Sequence, residues 1–240
     1  MTASLPRPAA PAQDVTRSVL SIKPFRKLWN SMVFSSLGDW LGLLATTALA
    51  QQLSGGSYST ANFAIAGVFI ARLLPAVFLG PLAGVLADRF DRRRLMVTVD
   101  ILRAALYISI PIVGTYFWLY AAMILVECLT LFWSPAKEAT VPNLVPREKL
   151  ENANQVSLLA AYGTAPVAAI LFTVLSLLSS AISTIAPSFK GNSVDIALYI
   201  NALSFLFAAF TIFGLKEIPK GAAADKKSQE SVIAALVQGW

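Results

Sequence analysis

The stretch GPLAGVLADRFDRRRL, residues 80–95, decides the fold, because it changes from apolar to strongly basic within a few residues. Its first part ends an apolar segment that begins near residue 62, and another apolar segment starts at Leu95. A helix that crosses about 30 Å of hydrocarbon needs about 20 mostly apolar residues. Basic residues collect in the cytoplasmic connections of such helices. The stretch therefore predicts a cytoplasmic turn between two membrane-spanning helices.

The same alternation continues along the whole chain. Six segments have the length and composition of membrane spans, at about 28–53, 62–87, 95–116, 118–136, 153–185 and 195–215. Each is expected to be helical, because lipid offers no partners for free backbone groups. The fifth segment exceeds one straight crossing, and we expect Pro166 to kink it. The sequence predicts an all-α integral membrane protein with a disordered cytoplasmic tail (1–27), a six-helix bundle (28–215) and a cytoplasmic linker (216–240).

Composition excludes most other classes of protein. The 240 residues are 56% hydrophobic and only 13% charged, with a mean hydropathy of +0.66, whereas soluble domains carry about 25% charged residues. Histidine is absent and Cys128 is the sole cysteine, which excludes a Ser-His-Asp triad, a disulfide framework and a cysteine-clustered zinc site. Glycine-rich phosphate-binding patterns are also absent. We therefore expect no enzyme activity, no cofactor and no metal.

The basic residues define an orientation in the membrane. Sixteen Lys and Arg side chains lie at the two ends and in the alternate connections that follow the second and fourth spans, whereas Lys190 alone lies in the opposite connections. The positive-inside rule then places both termini in the cytoplasm of a multi-pass protein of the cell inner (plasma) membrane. Because the net charge of +6 is spread over these separate connections, nucleic-acid binding is not expected.

Ionisable residues near the bilayer centre form the first candidate site. Asp39, Arg72 and Glu127 lie 9 to 11 residues into their spans, a depth of about 14–17 Å at 1.5 Å per residue. Such groups are costly in lipid and commonly functional, so they are candidates for proton coupling, with Arg72 as the charge partner of Asp39. A bridge between Asp39 and Arg72 that only fixes packing is the alternative, and Glu127 is expected to face Arg103 or to neutralise Arg72. Four further side chains are predicted to line the same cavity: Trp40, Phe69, Tyr162 and Asn201.

Two other patterns have structural interpretations. Asp100 and Arg103 are spaced i, i+3 near the cytoplasmic end of the third span, so they are expected to form a structural charge pair and to snorkel. Gly38 and Gly42 have the GxxxG spacing that lets helices approach closely.

The stretch at 80–95 resembles motif A of the major facilitator superfamily, G-x-x-x-D-R/K-x-G-R-R/K. Asp91 stands where the motif has a glycine, which affects the geometry of the tight turn. The resemblance implies that Asp88 and Arg92 are gating residues that hold two halves together in the outward-open state. The residues on the pattern are Gly84, Asp88, Arg89, Arg92 and Arg93.

The resemblance covers nearly all of residues 25–217, including FRKLW, SLGDW, VDILRA and NALSFLFAA. Within the superfamily, the chain is similar to the drug:proton antiporter branch that contains enterobactin-exporter-like proteins. In the fifth span alanines replace most glycines of that branch's motif, while Pro166 is kept. The family fold has two six-helix halves, so the chain looks like the N-terminal half. The implied partners are the lipid bilayer, protons, a small-molecule substrate and a second half from the same chain or another subunit.

The resemblance implies secondary active transport, specifically proton-coupled efflux of a small amphipathic or apolar compound. The alternative is a membrane anchor or assembly module that transports nothing and serves a partner or a downstream domain.

Overall fold

The computed structural model describes residues 19–87, 90–185 and 192–218, without the side chains of residues 81–87 and 183. Those residues form six long helices and no strand. All six are long and apolar enough to cross a membrane, which confirms the predicted all-α membrane architecture. The helices are α1 (Lys23–Leu53), α2 (Tyr58–Ala87), α3 (Arg92–Val113), α4 (Tyr116–Leu144), α5 (Leu150–Ile185) and α6 (Ser193–Phe213), with a 3-10 turn at Arg147–Lys149.

All six helices begin before their predicted spans, and two of them extend furthest beyond the prediction. Helix α1 begins at Lys23, and Val19 and Phe25 are fully buried, so part of the segment predicted as a disordered tail is helical and has side chains packed against the bundle. Helix α4 continues from the predicted end at residue 136 to Leu144, because polar residues can lengthen a helix beyond the hydrocarbon without breaking its hydrogen bonds. Residues 1–18 and 219–240, which carry the rest of the predicted tail and linker, lie outside the described residues.

The turn before α3 explains the departure from the glycine of motif A. Asp91 caps α3, since its side chain accepts a hydrogen bond from the backbone N–H of Arg94 at 3.0 Å. Its φ of −62° is open to any L-residue, so this turn does not require a glycine. At the other end of α3, Gly114 has a φ of 60° and closes the helix in the left-handed conformation that glycine adopts readily.

Helix α6 is the centre of the packing. It packs most extensively against α1 and α3, while α2 packs mainly on α4 and α5 packs mainly on α1. Two indole N–H groups of α1 donate to backbone carbonyls of α5: Trp29 to Val156 at 2.9 Å and Trp40 to Ala161 at 2.8 Å. These contacts leave α5 as the least buried of the spans.

Close approach of α1 depends on Gly38 and Gly42. A Cβ on Gly42 would lie 2.5 Å from Nδ2 of Asn201 on α6 and 2.8 Å from the hydroxyl of Tyr107 on α3. A Cβ on Gly38 would overlap Ser204 and Asn201 of α6. The GxxxG spacing therefore brings α1 against both α3 and α6.

Helix α5 contains Pro166 and continues to Ile185, a length of 36 residues. At 1.5 Å per residue this helix is about 54 Å long. Pro166 has no N–H to donate to the carbonyl of Tyr162. The kink at Pro166 stays a prediction.

Candidate functional site

A charged cleft opens between α1, α2, α4 and α5. Its volume is about 230 Å³. The structure brings the three predicted proton-coupling residues together on this cleft, because similar depths on packed helices place side chains at one level. The lining residues are Ser36, Asp39, Trp40, Leu43, Arg72, Glu127, Thr130, Ala161 and Tyr162.

Arg72 forms an ion pair across α2 and α4. Its Nε lies 3.0 Å from Oε1 of Glu127, and both side chains are largely buried, with 19% and 17% of their surface exposed. Of the two partners considered for Glu127 from sequence, the structure places Arg72 beside it.

Asp39 and Arg72 line the same cleft, but the direct ion pair of Asp39 is with another arginine. The carboxylate of Asp39 on α1 accepts a hydrogen bond from Nη2 of Arg103 on α3 and forms an ion pair with it. The physical reason is helix packing: α2 packs more extensively on α4 than on α1, so Arg72 meets Glu127. The Asp39 side chain is 32% exposed, so its carboxylate is open to the cleft.

Arg103 is the centre of a buried polar network. Its Nη1 lies 3.5 Å from Oδ1 of Asp100 and donates to Oγ of Ser35 at 3.4 Å. Its Cζ lies 4.1 Å from the ring centre of Phe205. Asp100 also accepts from the indole N–H of Trp133 on α4 at 3.2 Å. Asp100 and Arg103 are therefore in contact as their spacing predicted, and their structural role stays a prediction.

The expectation that Asp100 and Arg103 snorkel is wrong. Arg103 is 1% exposed and Asp100 is 0% exposed. The carboxylates of Asp39 and Asp100 and the ring of Phe205 surround the guanidinium inside the bundle, so the side chain has no need to reach the interface.

The predicted cavity lining is right for two of four side chains. Trp40 and Tyr162 line the cleft. Phe69 is exposed but is not among the lining residues, and Asn201 is fully buried against Gly38 and Gly42 of α1. Sequence reasoning missed Ser36 and Thr130, which also line the cleft. Their spacing was a usable signal, because each lies three residues from a predicted charge and therefore on the same helix face.

The two motif A residues whose side chains are described, Arg92 and Arg93, do not line this cleft. Asp88 and Arg89 lie outside the described residues, and Gly84 lies in α2 where side-chain surroundings are not described. Nη1 of Arg92 donates to the backbone carbonyl of Ala139 on α4 at 3.3 Å, and Arg93 is partly buried in the first turn of α3. The gating role of these residues stays a prediction.

The charged groups around the cleft do not balance. The cluster contains three carboxylates, of Asp39, Asp100 and Glu127, and two guanidinium groups, of Arg72 and Arg103. When all five are ionised the cluster carries one excess negative charge. Such a cluster can attract a proton or a cationic group into an apolar bundle. Among the described residues, no group of three or more His, Cys, Asp or Glu side chains could hold a metal ion.

Comparisons with known proteins agree with this architecture. Residues 15–240 match the family model described as transmembrane secretion effector. An uncharacterized MFS-type transporter of Bacillus subtilis, YfiS, is 30% identical over 199 residues, which are 80% of this chain and 42% of that protein.

Two further relatives have names that describe export. The putative bacilysin exporter BacE of Bacillus amyloliquefaciens is 27% identical over 201 residues, 81% of this chain and 45% of the relative. Macrolide efflux protein A of Enterococcus faecalis is 37% identical over 82 residues, 32% of this chain and 25% of the relative. The matched part of the chain spans less than half the length of these relatives. Through its family match and its six apolar helices, the chain belongs to the transmembrane secretion effector family of major facilitator superfamily transporters.

Proposed function

We propose that the protein takes part in proton-coupled efflux of a small amphipathic or apolar compound across the plasma membrane. The observation that carries the proposal is the excess carboxylate of the charged cleft. Three carboxylates and two guanidinium groups share one region of an otherwise apolar bundle. A cluster that needs one proton for neutrality can change its charge when the cleft gains or loses contact with water.

Glu127 and Asp39 are the proton-binding groups of this proposal. Each lines the cleft and each faces one guanidinium group. Proton uptake by Glu127 weakens its attraction to Arg72 and so loosens the contact between α2 and α4. The bound proton thereby favours one arrangement of the helices over another, which is how a ligand shifts a conformational equilibrium.

The cleft also supplies the proposed substrate surface. The aromatic rings of Trp40 and Tyr162 stand beside the charged side chains, a combination that suits a molecule with apolar and polar parts. Pockets for drug-sized ligands are about 300–1,000 Å³, so a cleft of about 230 Å³ is the size of part of such a site. A second six-helix half, in the same chain or another subunit, is proposed to complete the pocket.

Orientation and gating follow from the charge distribution and the resemblance. Both termini of the chain are proposed to face the cytoplasm, since the basic residues collect at the termini and in the connections on the same side of the membrane. The motif A side chains Asp88 and Arg92 are proposed to contact the second half and to stabilise the outward-open state. In this proposal the bond from Arg92 to the carbonyl of Ala139 holds the motif against α4.

The experiment is a flux assay on the complete gene product in proteoliposomes with an imposed pH gradient. A fluorescent amphipathic compound serves as the probe. We expect transport that requires the gradient, and we expect Glu127→Gln to reduce it to the level of empty liposomes. The matched control is Glu148→Gln, because Glu148 is an exposed glutamate outside the cleft. Protein yield and thermal stability of both variants are measured in parallel.

Two outcomes contradict the proposal. Full gradient-dependent transport by a folded Glu127→Gln protein would remove Glu127 from proton coupling. Absence of gradient-driven flux of any amphipathic probe by the folded wild-type protein would favour a membrane anchor instead.

A further inference from the structure

A second cavity, the α4–α5 cavity, opens outside the charged cleft. Its volume is about 440 Å³, which lies within the range of about 300–1,000 Å³ for small-molecule sites. The space exists because α5 packs mainly on α1 and only slightly on α4. Five residues of α5 line the cavity at the spacing i, i+4, i+7, i+8 and i+11, which is one face of a helix. They are Leu150, Asn154, Ser157, Leu158 and Ala161.

The opposite wall of the α4–α5 cavity belongs to α4. Lys137 and Val141 are four residues apart, as are Glu138 and Pro142, so these side chains form two adjacent rows on one helix face. The cavity therefore places an ammonium group, a carboxylate, an amide and a hydroxyl beside aliphatic side chains. A few polar groups on an apolar wall are typical of sites for small organic molecules.

Lys137 carries the least compensated charge of this cavity. Its side chain is partly buried, and it forms no ion pair with any described residue. Its Nζ lies 5.8 Å from the ring centre of Trp133, one turn earlier in α4, which is near the outer limit of about 6 Å for a cation–π contact. The neighbouring Glu138 is exposed, so water and salt screen its attraction for the ammonium group. A partly buried ammonium group in this situation is stabilised by an anion.

The polar side chains of α5 can bond to the same ligand. Asn154 is exposed, and its amide makes no hydrogen bond to another described residue, so it can both donate and accept. The hydroxyl of Ser157 donates to the carbonyl of Ala153 at 2.8 Å, which leaves its oxygen as an acceptor. The cavity thus offers an ammonium group for an anion and an amide for a further polar group.

The α4–α5 cavity adjoins the charged cleft. Ala161 lines both spaces, and its carbonyl is held by the indole N–H of Trp40. The lining along α5 begins at Leu150, the first residue of that helix, and ends at Ala161, a length of about 16 Å at 1.5 Å per residue. The cavity therefore runs from the connection between α4 and α5 to the edge of the cleft.

We propose that the α4–α5 cavity is a binding site for an amphipathic organic anion. The ammonium group of Lys137 holds the anionic group, and Val141, Leu150 and Leu158 contact the apolar part. Binding at this site does not depend on transport. Its role in capturing a substrate before the substrate enters the charged cleft rests on the proposed function.

Binding is measured with three tritiated probes that share one ring system and differ in charge. They are naphthalene-1-sulfonate, an anion, naphthalene-1-sulfonamide, which is neutral, and 1-naphthylmethylammonium, a cation. Each is equilibrated with the complete gene product in detergent, and micelles without protein give the background. We expect the sulfonate to bind most tightly. Sulfonate binding that is equal to or weaker than that of the neutral or cationic probe would overturn the proposal.

Two neighbouring substitutions have opposite expected effects on sulfonate binding. Lys137→Gln should weaken it about tenfold, because a charge-assisted hydrogen bond is lost. Glu138→Gln should strengthen it about twofold, because an exposed like charge is removed. Arg147→Gln is the matched control, since Arg147 is an exposed cation of the same connection that does not line the cavity.

Three results would overturn the site. They are unchanged binding by Lys137→Gln, an equal loss in Lys137→Gln and Arg147→Gln, which indicates surface attraction only, and weaker binding by Glu138→Gln, which indicates a zwitterionic ligand. Thermal unfolding of each variant is measured in parallel. Lys137→Arg keeps the charge and should retain binding, so a loss caused by misfolding is separated from a loss of the cation.

Flux separates failure of this site from failure of the proposed function. In proteoliposomes with a pH gradient, Lys137→Gln should raise the naphthalene-1-sulfonate concentration at half-maximal flux about tenfold, while the flux still requires the gradient. An unchanged half-maximal concentration would overturn the capture role. Lys137-dependent binding without any gradient-driven flux by the wild type would support the site and contradict the proposed function.

Discussion

Replacement of Gly42 by alanine tests the packing on which the site depends. The new methyl group would meet Nδ2 of Asn201 at 2.5 Å and the hydroxyl and Cε1 of Tyr107 at 2.8 and 2.9 Å, whereas ordinary contacts of a Cβ begin at about 3.4 Å. The neighbours must therefore move by up to about 1 Å. Both are completely buried, so neither can turn into open space.

The magnitude follows from two opposing effects. Overpacking of a buried site costs about 1–3 kcal/mol, while exchange of glycine for alanine within a helix gains up to about 1 kcal/mol. Gly163→Ala in α5 is the matched control, because a Cβ there has no neighbour within 4 Å. The difference between the two variants isolates the clash. At about 2–4 °C per kcal/mol for a chain of this size, we expect Gly42→Ala to unfold about 5 °C below Gly163→Ala.

The assay is thermal unfolding of the detergent-purified protein followed by tryptophan fluorescence, with both variants at equal protein and detergent concentrations. A Gly42→Ala protein as stable as the Gly163→Ala protein would refute the reasoning. It would mean that α1 does not approach α3 and α6 as closely at Gly42 as described.

Three further changes test individual contacts by the same measurement. Asp91→Ala removes the cap of α3 and should lower the free energy of unfolding by about 1 kcal/mol. Asp91→Asn keeps a capping oxygen and is the control. Equal stability of the Asp91→Ala and Asp91→Asn proteins would contradict the cap. Arg103→Leu leaves the buried Asp100 uncompensated, which should cost about 3–5 kcal/mol. The added change Asp100→Asn should restore part of that loss, and no recovery would argue against the pair. Trp40→Phe loses the hydrogen bond to the Ala161 carbonyl and should cost about 1 kcal/mol; an unchanged unfolding temperature would contradict that bond.

Depth along a helix could be predicted from the sequence, whereas rotation about its axis could not. The rise of 1.5 Å per residue was enough to place Asp39, Arg72 and Glu127 at one level, and the cleft contains all three. The choice of partner depends on which helices pack together and which faces meet. Arg72 had two carboxylates at its depth, and only the contact of α2 with α4 assigns it to Glu127.

Burial of polar side chains was the other feature beyond sequence reasoning. Asn201 was predicted to line the cavity because amides suit amphipathic ligands, but it packs into the space left by Gly38 and Gly42. The GxxxG spacing predicted close approach without naming the partner helix. Likewise, motif comparison marked Asp91 as a departure from glycine, and only the backbone angle shows that an ordinary capped turn accommodates it.

The two indole hydrogen bonds between α1 and α5 have a mechanical consequence. One joins the helices near Trp29 and the other near Trp40, about 16 Å apart along α1 at 1.5 Å per residue. Two attachments so far apart prevent α5 from rotating or sliding on α1 unless a bond breaks. Asp39 and Tyr162, which neighbour the second attachment in the chain, therefore travel as one unit. We therefore expect changes in the shape of the cleft to come from movement of α2 and α4 against that unit.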